Sequence, residues 1–352
     1  MIRKSYRTNK WILSDPVIAY RILRGVFRAL VLRRNTLRVI QIFPTFDCQA
    51  RCEMCSVAGF KQGGKDVLTR EDYESIAAQG ARMGAVAVTF LGGEPLLAKG
   101  IEDTIRTFKS RHFFVSIVSN GIAFSRDCAR TLRAAGLDSI HFGLESLDEE
   151  ANDKRRGYPG QCRKVLEGVK ICREEGLNVG VCTILFPGEL ERCRELAEYG
   201  EENGLRVSLP TVAPVGAAER LEPATEEQYE QVLALLRQYP HLTVDWASSY
   251  SLRSRCPAGK EKIAITCYGE VMGCSLNHIS FGNVREEPLQ TIWERAGRFS
   301  QFRKHSDHCI AGFDHYHINN YLAPIADLDE RPVHYSRHPN ITEETEPDLF
   351  ER

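Results

Sequence analysis

The sequence has no long apolar run, almost no net charge and no export signal. None of its 352 residues lies in a stretch of about 18 apolar residues, so no segment is predicted to span a membrane. Its formal net charge is −1, so it lacks the basic field that attracts nucleic acid. The apolar stretch after the basic start is interrupted by Arg21, Arg24 and Arg28, and no cleavage site of small residues follows. We therefore expect a cytoplasmic protein without a nucleic-acid partner.

The charges that are present are unevenly distributed. Residues 1–34 contain nine Lys or Arg and a single acid, Asp15. Within them, Ser14-Asp15-Pro16 is typical of a helix start, and the apolar residues that follow have roughly helical spacing. Residues 14–34 thus predict a basic amphipathic helix. It either contacts a membrane surface, peripheral to the inner face, or packs on the bottom of a sheet with its arginines in water.

From residue 37 strand-like and helix-like segments alternate. The strand-like segments are residues 37–43, 85–91, 113–118, 138–144, 178–185 and 206–212, and the helix-like segments are 69–83, 100–110, 125–135, 162–175 and 189–203. Six such units in a row predict a parallel sheet with helices outside, either open or curled into a partial barrel. After residue 240 we expect a smaller module with a hairpin around Gly269 and a helix near 288–302, and from 321 a loosely ordered acidic tail.

Three cysteines follow the first predicted strand closely. Cys48, Cys52 and Cys55 lie at the carboxyl end of that strand, where parallel sheets build their sites. In a chain without an export signal, clustered thiols more often hold metal than form disulfides. Three thiolates can hold three corners of a cubane iron–sulfur cluster and leave the fourth iron open, whereas electron-transfer clusters use four cysteines. Zinc with a distant fourth ligand, or merely reduced thiols, are the alternatives.

Motifs at the ends of four strands resemble the radical S-adenosylmethionine (SAM) superfamily. They are Cys-x3-Cys-x2-Cys (48–55), "FLGGEPLL" (90–97), "VSNG" (118–121) and "GLESLDEEANDKRRG" (143–157). The resemblance implies an α/β fold, a partial (β/α)6 TIM-type barrel over residues 37–240. It also implies that a [4Fe–4S] cluster binds SAM at its open iron and cleaves it, with an electron from flavodoxin or ferredoxin, to a 5′-deoxyadenosyl radical.

The same resemblance assigns cofactor contacts to single residues. Glu94 and the glycines before it would contact the methionyl amine, because a carboxylate suits an ammonium group. Ser119 and Glu145 would approach the ribose and the carboxylate of SAM, and Met54 stands where an aromatic residue usually packs on the adenine. The predicted cofactor contacts are Met54, Gly92, Gly93, Glu94, Ser119, Asn120 and Glu145.

A second group of cysteines lies in residues 241–320. The pattern Gly-x4-Cys, Gly-Asn-Val, Trp and Cys in this region resembles the SPASM domain or its shortened form, twitch, a small α+β domain with auxiliary clusters. Additional cysteines of the full form are missing, so we expect one auxiliary cluster, of the [4Fe–4S] type. Its expected ligands are Cys256, Cys274 and Cys309, with Cys267, another side chain or bound substrate as the fourth. A zinc-stapled hairpin is the alternative.

The sequence predicts the reaction class better than the substrate. An auxiliary cluster that accepts an electron favours oxidation or bond formation, which implies an oxidoreductase or transferase type of enzyme. Residues 1–36 are too few for the leader-peptide-binding domain that peptide-modifying relatives often carry, so we expect a small or lipid-like metabolite. The alternatives are a peptide or protein maturase and, in a different class, a non-catalytic iron–sulfur or zinc sensor or carrier. No residue is assigned as a catalytic acid or base.

Overall fold

One β-sheet lies at the centre of the part of the chain that the computed structural model describes, which is residues 15–222, 224–246 and 249–350. Its strands are β1 (Val39–Ile42), β2 (Ala87–Phe90), β3 (Phe114–Ser119), β4 (Ser139–Gly143), β5 (Asn178–Cys182), β6 (Arg206–Ser208), β7 (Leu242–Thr243), β8 (Lys262–Ile265), β9 (Glu270–Met272), β10 (Ile279–Asn283) and β11 (Val333–His334). The strand order is β11-β10-β9-β8-β1-β2-β3-β4-β5-β6-β7, so β11 and β7 form the two edges.

The helices follow the strands in regular alternation up to β7. They are α1 (Pro16–Leu30), α2 (Arg70–Met83), α3 (Ile101–Lys109), α4 (Arg126–Ala135), α5 (Glu149–Arg156), α6 (Gln161–Glu174), α7 (Leu190–Glu202), α8 (Glu226–Gln238), α9 (Leu289–Arg298), α10 (Ser300–Arg303), α11 (Ile310–Phe313), α12 (His315–His317) and α13 (Pro347–Phe350). Strands β1 to β7 are all parallel to their neighbours. The predicted α/β class with a partial TIM-type arrangement is therefore confirmed.

Local sequence signals explain where these elements begin and end. Thr69 and Asp72 form a reciprocal capping box at the start of α2. Gly84 and Gly136 end α2 and α4 with φ values of 99° and 96°, a left-handed conformation that glycine adopts without strain. The structure adds α8 and β7 to the six predicted units. Strand β7 has only two residues, which is too few for a hydrophobic period to reveal.

The C-terminal module shares the sheet with the parallel strands. Strand β8 runs parallel to β1, and the predicted hairpin around Gly269 joins it to the antiparallel strand β9. Strand β10 continues this antiparallel pairing, and β11 adds to it in parallel. Hydrogen-bonded strands from before and after the boundary predicted at residue 240 thus belong to one sheet.

The predicted loosely ordered tail is wrong for the described residues, which end at 350. Val333 lies in β11, and Ile341 and Leu349 are buried. Glu346 is also buried, and its carboxylate accepts hydrogen bonds from the Ser300 backbone N–H (2.9 Å) and the Tyr321 hydroxyl (3.0 Å). The acidic composition suggested loose order, but most apolar residues of the segment are buried, although Leu328 stays exposed.

Helix α1 begins as the sequence predicts, although Ser14 itself lies outside the described residues. The Asp15 carboxylate accepts a hydrogen bond from the Val17 backbone N–H (2.9 Å) and so caps the helix. Its other oxygen lies 2.9 Å from Nδ1 of His112, which precedes β3. The cap therefore also ties α1 to the amino-terminal side of the sheet. No helix among the described residues combines the length and apolarity needed to cross a bilayer.

The orientation of α1 differs from the alternative in which the helix packs on the sheet with its arginines in water. The Arg21 guanidinium points inward and donates to the carbonyls of Ala85 (3.2 Å) and His112 (3.1 Å), just before β2 and β3. Arg28 also turns inward and donates to the Thr36 hydroxyl (3.1 Å). Several large apolar side chains of α1 face outward instead. The spacing correctly separated an apolar and a basic face, but it could not show which face meets the protein.

The buried carboxylate of Glu346 gives a stability prediction. Glu346→Ala leaves the Ser300 and Tyr321 donors without their acceptor in a buried place, so we expect the free energy of unfolding to fall by about 2–4 kcal/mol. The measurement is urea unfolding followed by tryptophan fluorescence. The control is Glu344→Ala, an exposed acid in the same segment, which we expect to leave the midpoint unchanged. Equal midpoints for both variants would show that the segment is not anchored by this contact.

Candidate active site and cluster sites

The loop after β1 brings three thiols to the carboxyl edge of the parallel strands. Turns close around them, with the Cys55 N–H donating to the Cys52 carbonyl (3.3 Å). Burial raises the pKa of the Cys55 thiol, and the neighbouring Cys52 and Cys48 raise it further. Partial desolvation also raises the pKa of Cys48, with smaller contributions from Glu94 and Cys52. The three thiols therefore share one electrostatic neighbourhood, in which a positively charged cluster would favour the thiolates.

The Gly92-Gly93-Glu94 segment at the end of β2 is hydrogen-bonded to this loop. The Gly93 N–H donates to the Thr45 carbonyl (3.0 Å), and the Glu94 N–H donates to the Asp47 carbonyl (2.7 Å). A Cβ atom at Gly93 would collide with the backbone of residues 46–47, so only glycine permits this close approach. Gly93 therefore approaches the chain just before Cys48.

Glu94 itself is buried and links the ends of β2 and β3. Its carboxylate accepts hydrogen bonds from the Ser119 hydroxyl (2.9 Å), the Asn120 backbone N–H (2.7 Å) and the Leu96 backbone N–H (3.0 Å). Burial raises the pKa of the Glu94 carboxyl, although these hydrogen bonds act in the opposite direction. The Ser119 hydroxyl in turn accepts from the Gly121 N–H (3.0 Å). Both predicted cofactor contacts therefore already have hydrogen-bond partners within the protein.

The side chain of Asn120 contacts a predicted cluster ligand directly. Its amide nitrogen lies 3.5 Å from the Cys48 sulfur and 3.2 Å from Oε1 of Gln49. Its amide oxygen accepts from the Ile122 N–H (2.8 Å), which fixes the orientation of the group. A hydrogen bond to a ligand sulfur is one of the means by which proteins set cluster potentials.

Glu145 at the end of β4 is held between two arginines. One carboxylate oxygen accepts from Arg156, and the other accepts from Arg192 (3.2 Å) and from the Thr183 hydroxyl (3.0 Å). The Arg156 guanidinium packs against Gly143, where a Cβ atom would collide with it. Arg156 Nε is buried without a hydrogen-bond partner in the described protein. This carboxylate is thus largely satisfied, and the unpartnered donor beside it is the group available to an anionic ligand.

Met54 belongs to a small apolar cluster beside Cys52. It packs with Phe186, Val212 and Ala218 at the ends of β5 and β6. The Arg155 guanidinium stacks over the Phe186 ring at 4.5 Å from its centroid. The sequence placed Met54 where an aromatic residue usually packs on the adenine, and the structure surrounds it with apolar residues from distant segments.

The second group of cysteines separates into three that meet and one that does not. Burial, together with a smaller contribution from the nearby Cys256, raises the pKa of the Cys274 thiol to about 12. Burial, then Cys256 and Cys274, raise the pKa of Cys309 well above its usual value. Cys267 is buried as well, but none of these three cysteines contributes to the raised pKa of its thiol, and its carbonyl accepts from the Leu68 N–H (2.7 Å). Within the described ranges, no three His, Cys, Asp or Glu side chains are arranged to hold a single metal ion.

Comparison with known proteins identifies this arrangement. The chain matches the "Radical SAM superfamily" over residues 42–200 and the "Iron-sulfur cluster-binding domain" SPASM over residues 256–312. The chain therefore contains a radical SAM domain and a SPASM domain. It is therefore an enzyme whose cofactors are a [4Fe–4S] cluster, SAM and auxiliary iron–sulfur centres. The three thiols at the sheet edge, the unpartnered Arg156 Nε and the apolar cluster at Met54 are chemically suited to this set.

Several relatives of this radical SAM enzyme are known. A PqqA peptide cyclase of Xanthomonas euvesicatoria is 24% identical over 277 residues, which cover 74% of each chain. A probable GTP 3′,8-cyclase of Aeropyrum pernix is 32% identical over 162 residues, which cover 43% of this chain and 44% of the relative. The structure of Streptococcus suis SuiB bound to S-adenosylmethionine matches with a TM-score of 0.61 and 18% identity, over 83% of this chain and 76% of SuiB. That likeness shows a shared fold.

Sequence reasoning named no role for some residues of the site. Arg156, Arg192 and Thr183 surround Glu145, and Phe186 packs beside Met54. The Arg-Gly pair at 156–157 belongs to the motif at residues 143–157, so the sequence did offer a reason to consider Arg156. The other three carried none, because they come from segments that only the fold brings to Glu145 and Met54.

The Asn120 contact predicts a shift in reduction potential. In Asn120→Ala the Cys48 sulfur loses its amide donor, so the more negative reduced cluster is less stabilised. We expect the midpoint potential to become more negative by some tens of millivolts, measured by redox titration with electron paramagnetic resonance. Gln49→Ala is the control, since it removes only the other acceptor of the amide. An unchanged potential in Asn120→Ala would contradict a role for this contact.

The grouping of cysteines predicts which thiols hold the auxiliary cluster. We expect Cys274→Ala to lose the iron and sulfide of that cluster and to keep those of the SAM cluster. Cys267→Ala should keep both, because its thiol lies away from the other three. The measurement is iron and sulfide per chain together with Mössbauer spectra of anaerobically purified protein. Equal losses in the two variants would make Cys267 a ligand, and zinc in place of iron would favour the zinc-stapled hairpin.

Proposed function

We propose that Cys48, Cys52 and Cys55 hold a [4Fe–4S] cluster with one iron open for SAM. When bound, the cluster and SAM supply a 5′-deoxyadenosyl radical that takes a hydrogen atom from the substrate. One observation carries this proposal. The loop that bears the three thiols lies at the carboxyl edge of the sheet, where Glu94 holds the loop and Asn120 contacts Cys48. The remaining residues position and shield this chemistry.

The surrounding side chains have separable tasks in this proposal. Glu94 and Ser119 hold the cysteine loop against β2 and β3, as their hydrogen bonds indicate. The Arg156 guanidinium offers a cationic donor to the carboxylate of SAM, and Glu145 orients that guanidinium. Met54 and the apolar residues around it offer a surface to the adenine. These are roles in binding and orientation, and none of them moves a proton.

Cys256, Cys274 and Cys309 hold the auxiliary cluster in this proposal. Their thiols lie together in the SPASM domain, and the absence of further cysteines after the hairpin in the sequence suits a single cluster. A second redox centre can accept an electron from a substrate radical. We therefore favour a net oxidation or a bond-forming reaction over a redox-neutral rearrangement, as an oxidoreductase or transferase would perform.

We propose a peptide or protein as the substrate, in place of the small metabolite expected from the sequence. Among the relatives, the name PqqA peptide cyclase states a peptide substrate. SuiB has also been seen bound to the precursor peptide SuiA, in a structure that matches with a TM-score of 0.60 and 17% identity, over 78% of this chain and 68% of SuiB. These two relatives support a peptide substrate, whereas the smaller match to the GTP 3′,8-cyclase supports a nucleotide.

A small or lipid-like substrate is the second candidate. The observation that favours it is the apolar outer face of α1, which suits peripheral contact with a membrane through residues 14–34. Helix α1 contacts residues that precede β2 and β3, whereas the three cysteines follow the carboxyl end of β1. A lipid substrate would therefore have to leave the bilayer to reach the thiols.

Release of 5′-deoxyadenosine tests both the chemistry and the substrate. We expect the reduced, reconstituted enzyme to release it from SAM, and Cys48→Ala to lose this activity because the cluster loses a ligand. Cys128→Ala is the control, since this thiol lies on α4 away from both groups. A peptide fraction of the source cells should raise the release more than their lipid extract. The reverse order would favour the lipid-like substrate, and equal release by Cys48→Ala would refute the radical chemistry.

A further inference from the structure

The outward face of α1 carries a continuous apolar stripe. Tyr20 is 64% exposed, Leu23 70% and Phe27 53%, and Leu30 and Val31, which follow them in the chain, are also exposed. Their spacing of three, four, three and one residues places all five side chains on one side of an α-helix. Thirteen large apolar side chains are exposed among the described residues, and six of them lie between residues 20 and 32. Such concentration marks an interaction surface, whereas single exposed apolar residues are ordinary.

The inward contacts of α1 fix this stripe toward the outside. Arg21 donates to backbone carbonyls before β2 and β3, and Arg28 donates to Thr36. The helix also approaches Tyr250 so closely that a Cβ atom at Gly25 would collide with the Tyr250 ring. Turning the stripe inward would break these contacts and leave the Arg21 guanidinium without its acceptors. The exposure of the stripe is therefore a built feature of the fold.

The charges around the stripe indicate the chemistry of its partner. Arg24, Arg33 and Arg34 are exposed on or just after α1. Five basic residues lie between residues 15 and 34, and the two described above turn inward, so these three remain exposed, against a single acid in the same range. That single acid, Asp15, is engaged in the helix cap and with His112. The face therefore combines exposed apolar side chains with uncompensated positive charge, which complements an anionic, apolar partner.

We propose that the outward face of α1 docks the protein on an anionic lipid bilayer. A single convex helix of 15 residues, about 22 Å long, offers no groove for a peptide, but it can lie in the plane of a lipid interface. The apolar stripe enters the boundary between head groups and acyl chains, and the arginines meet the lipid phosphates. This orientation places the carboxyl edge of β1 to β6, with Cys48 and its neighbours, away from the lipid. The inference does not depend on which substrate the enzyme modifies.

Vesicle flotation of the full-length reconstituted protein tests this proposal. We expect binding to vesicles of phosphatidylcholine mixed with phosphatidylglycerol, weaker binding to phosphatidylcholine alone, and weakening by added salt. Leu23→Glu/Phe27→Glu should reduce the bound fraction by roughly tenfold or more, because two apolar anchors become charged. The matched control is Val67→Glu/Leu328→Glu, which adds the same charge at two exposed apolar positions elsewhere, with Val67 56% exposed. This control should bind like the wild type.

The same variants distinguish a lipid surface from the other partners that could cover the stripe. Release of 5′-deoxyadenosine by Leu23→Glu/Phe27→Glu should match the wild type, since the stripe lies at the other end of the strands. A dimer of the wild type that this variant dissociates would assign the stripe to a second copy and overturn the proposal. If Leu23→Glu/Phe27→Glu melted at a lower temperature but floated like the wild type, another part of the chain would cover the stripe and the proposal would be wrong. Equal flotation of the two double variants would also overturn it.

Discussion

The buried carboxylate of Glu94 is the interaction on which the site depends. Three donors from the ends of β2 and β3 satisfy it, while its own backbone holds the chain that leads to Cys48. A buried charge without such partners costs several kcal/mol, so the contact is stable only when both strand ends and the loop are in place. These contacts hold the cysteine loop in position against the parallel sheet, although the loop itself has little regular structure.

A second buried carboxylate organises the other side of the same edge. Glu145 is held by Arg156 and Arg192, and Arg156 also approaches the Cys52 segment through its backbone carbonyl (3.5 Å from the sulfur). The two carboxylates therefore hold the loops that follow β2 and β4, the strands on either side of β3. Their partners are residues that cannot be replaced singly without leaving an unpaired buried group. This explains why an enzyme site built on loops can still be rigid.

The fold also separates the surfaces of the molecule by function. Parallel strands place every βα loop at one edge, so the thiols and the carboxylates that orient their neighbours are gathered there. The amino-terminal ends are left for packing, and α1 occupies part of that side through Arg21. The C-terminal strands join the same sheet beside β1, which makes the SPASM domain a continuation of the sheet that bears the first cysteines. The reaction at the carboxyl edge and the proposed docking through α1 should therefore be separable by mutation.

The sequence by itself determined the order of elements from β1 to β6 and led to our proposals for the residues that bind iron and SAM. Hydrophobic period, helix caps and cysteine spacing are local properties, so β1 to β6 and the Cys48 loop could be predicted directly. Only the tertiary structure decided contacts between distant segments: Glu145 with Arg192, the isolation of Cys267, and the ordered end of the chain at Glu346. It also decided that α1 turns Arg21 and Arg28 inward, because periodicity defines two faces of a helix without showing which one the protein covers.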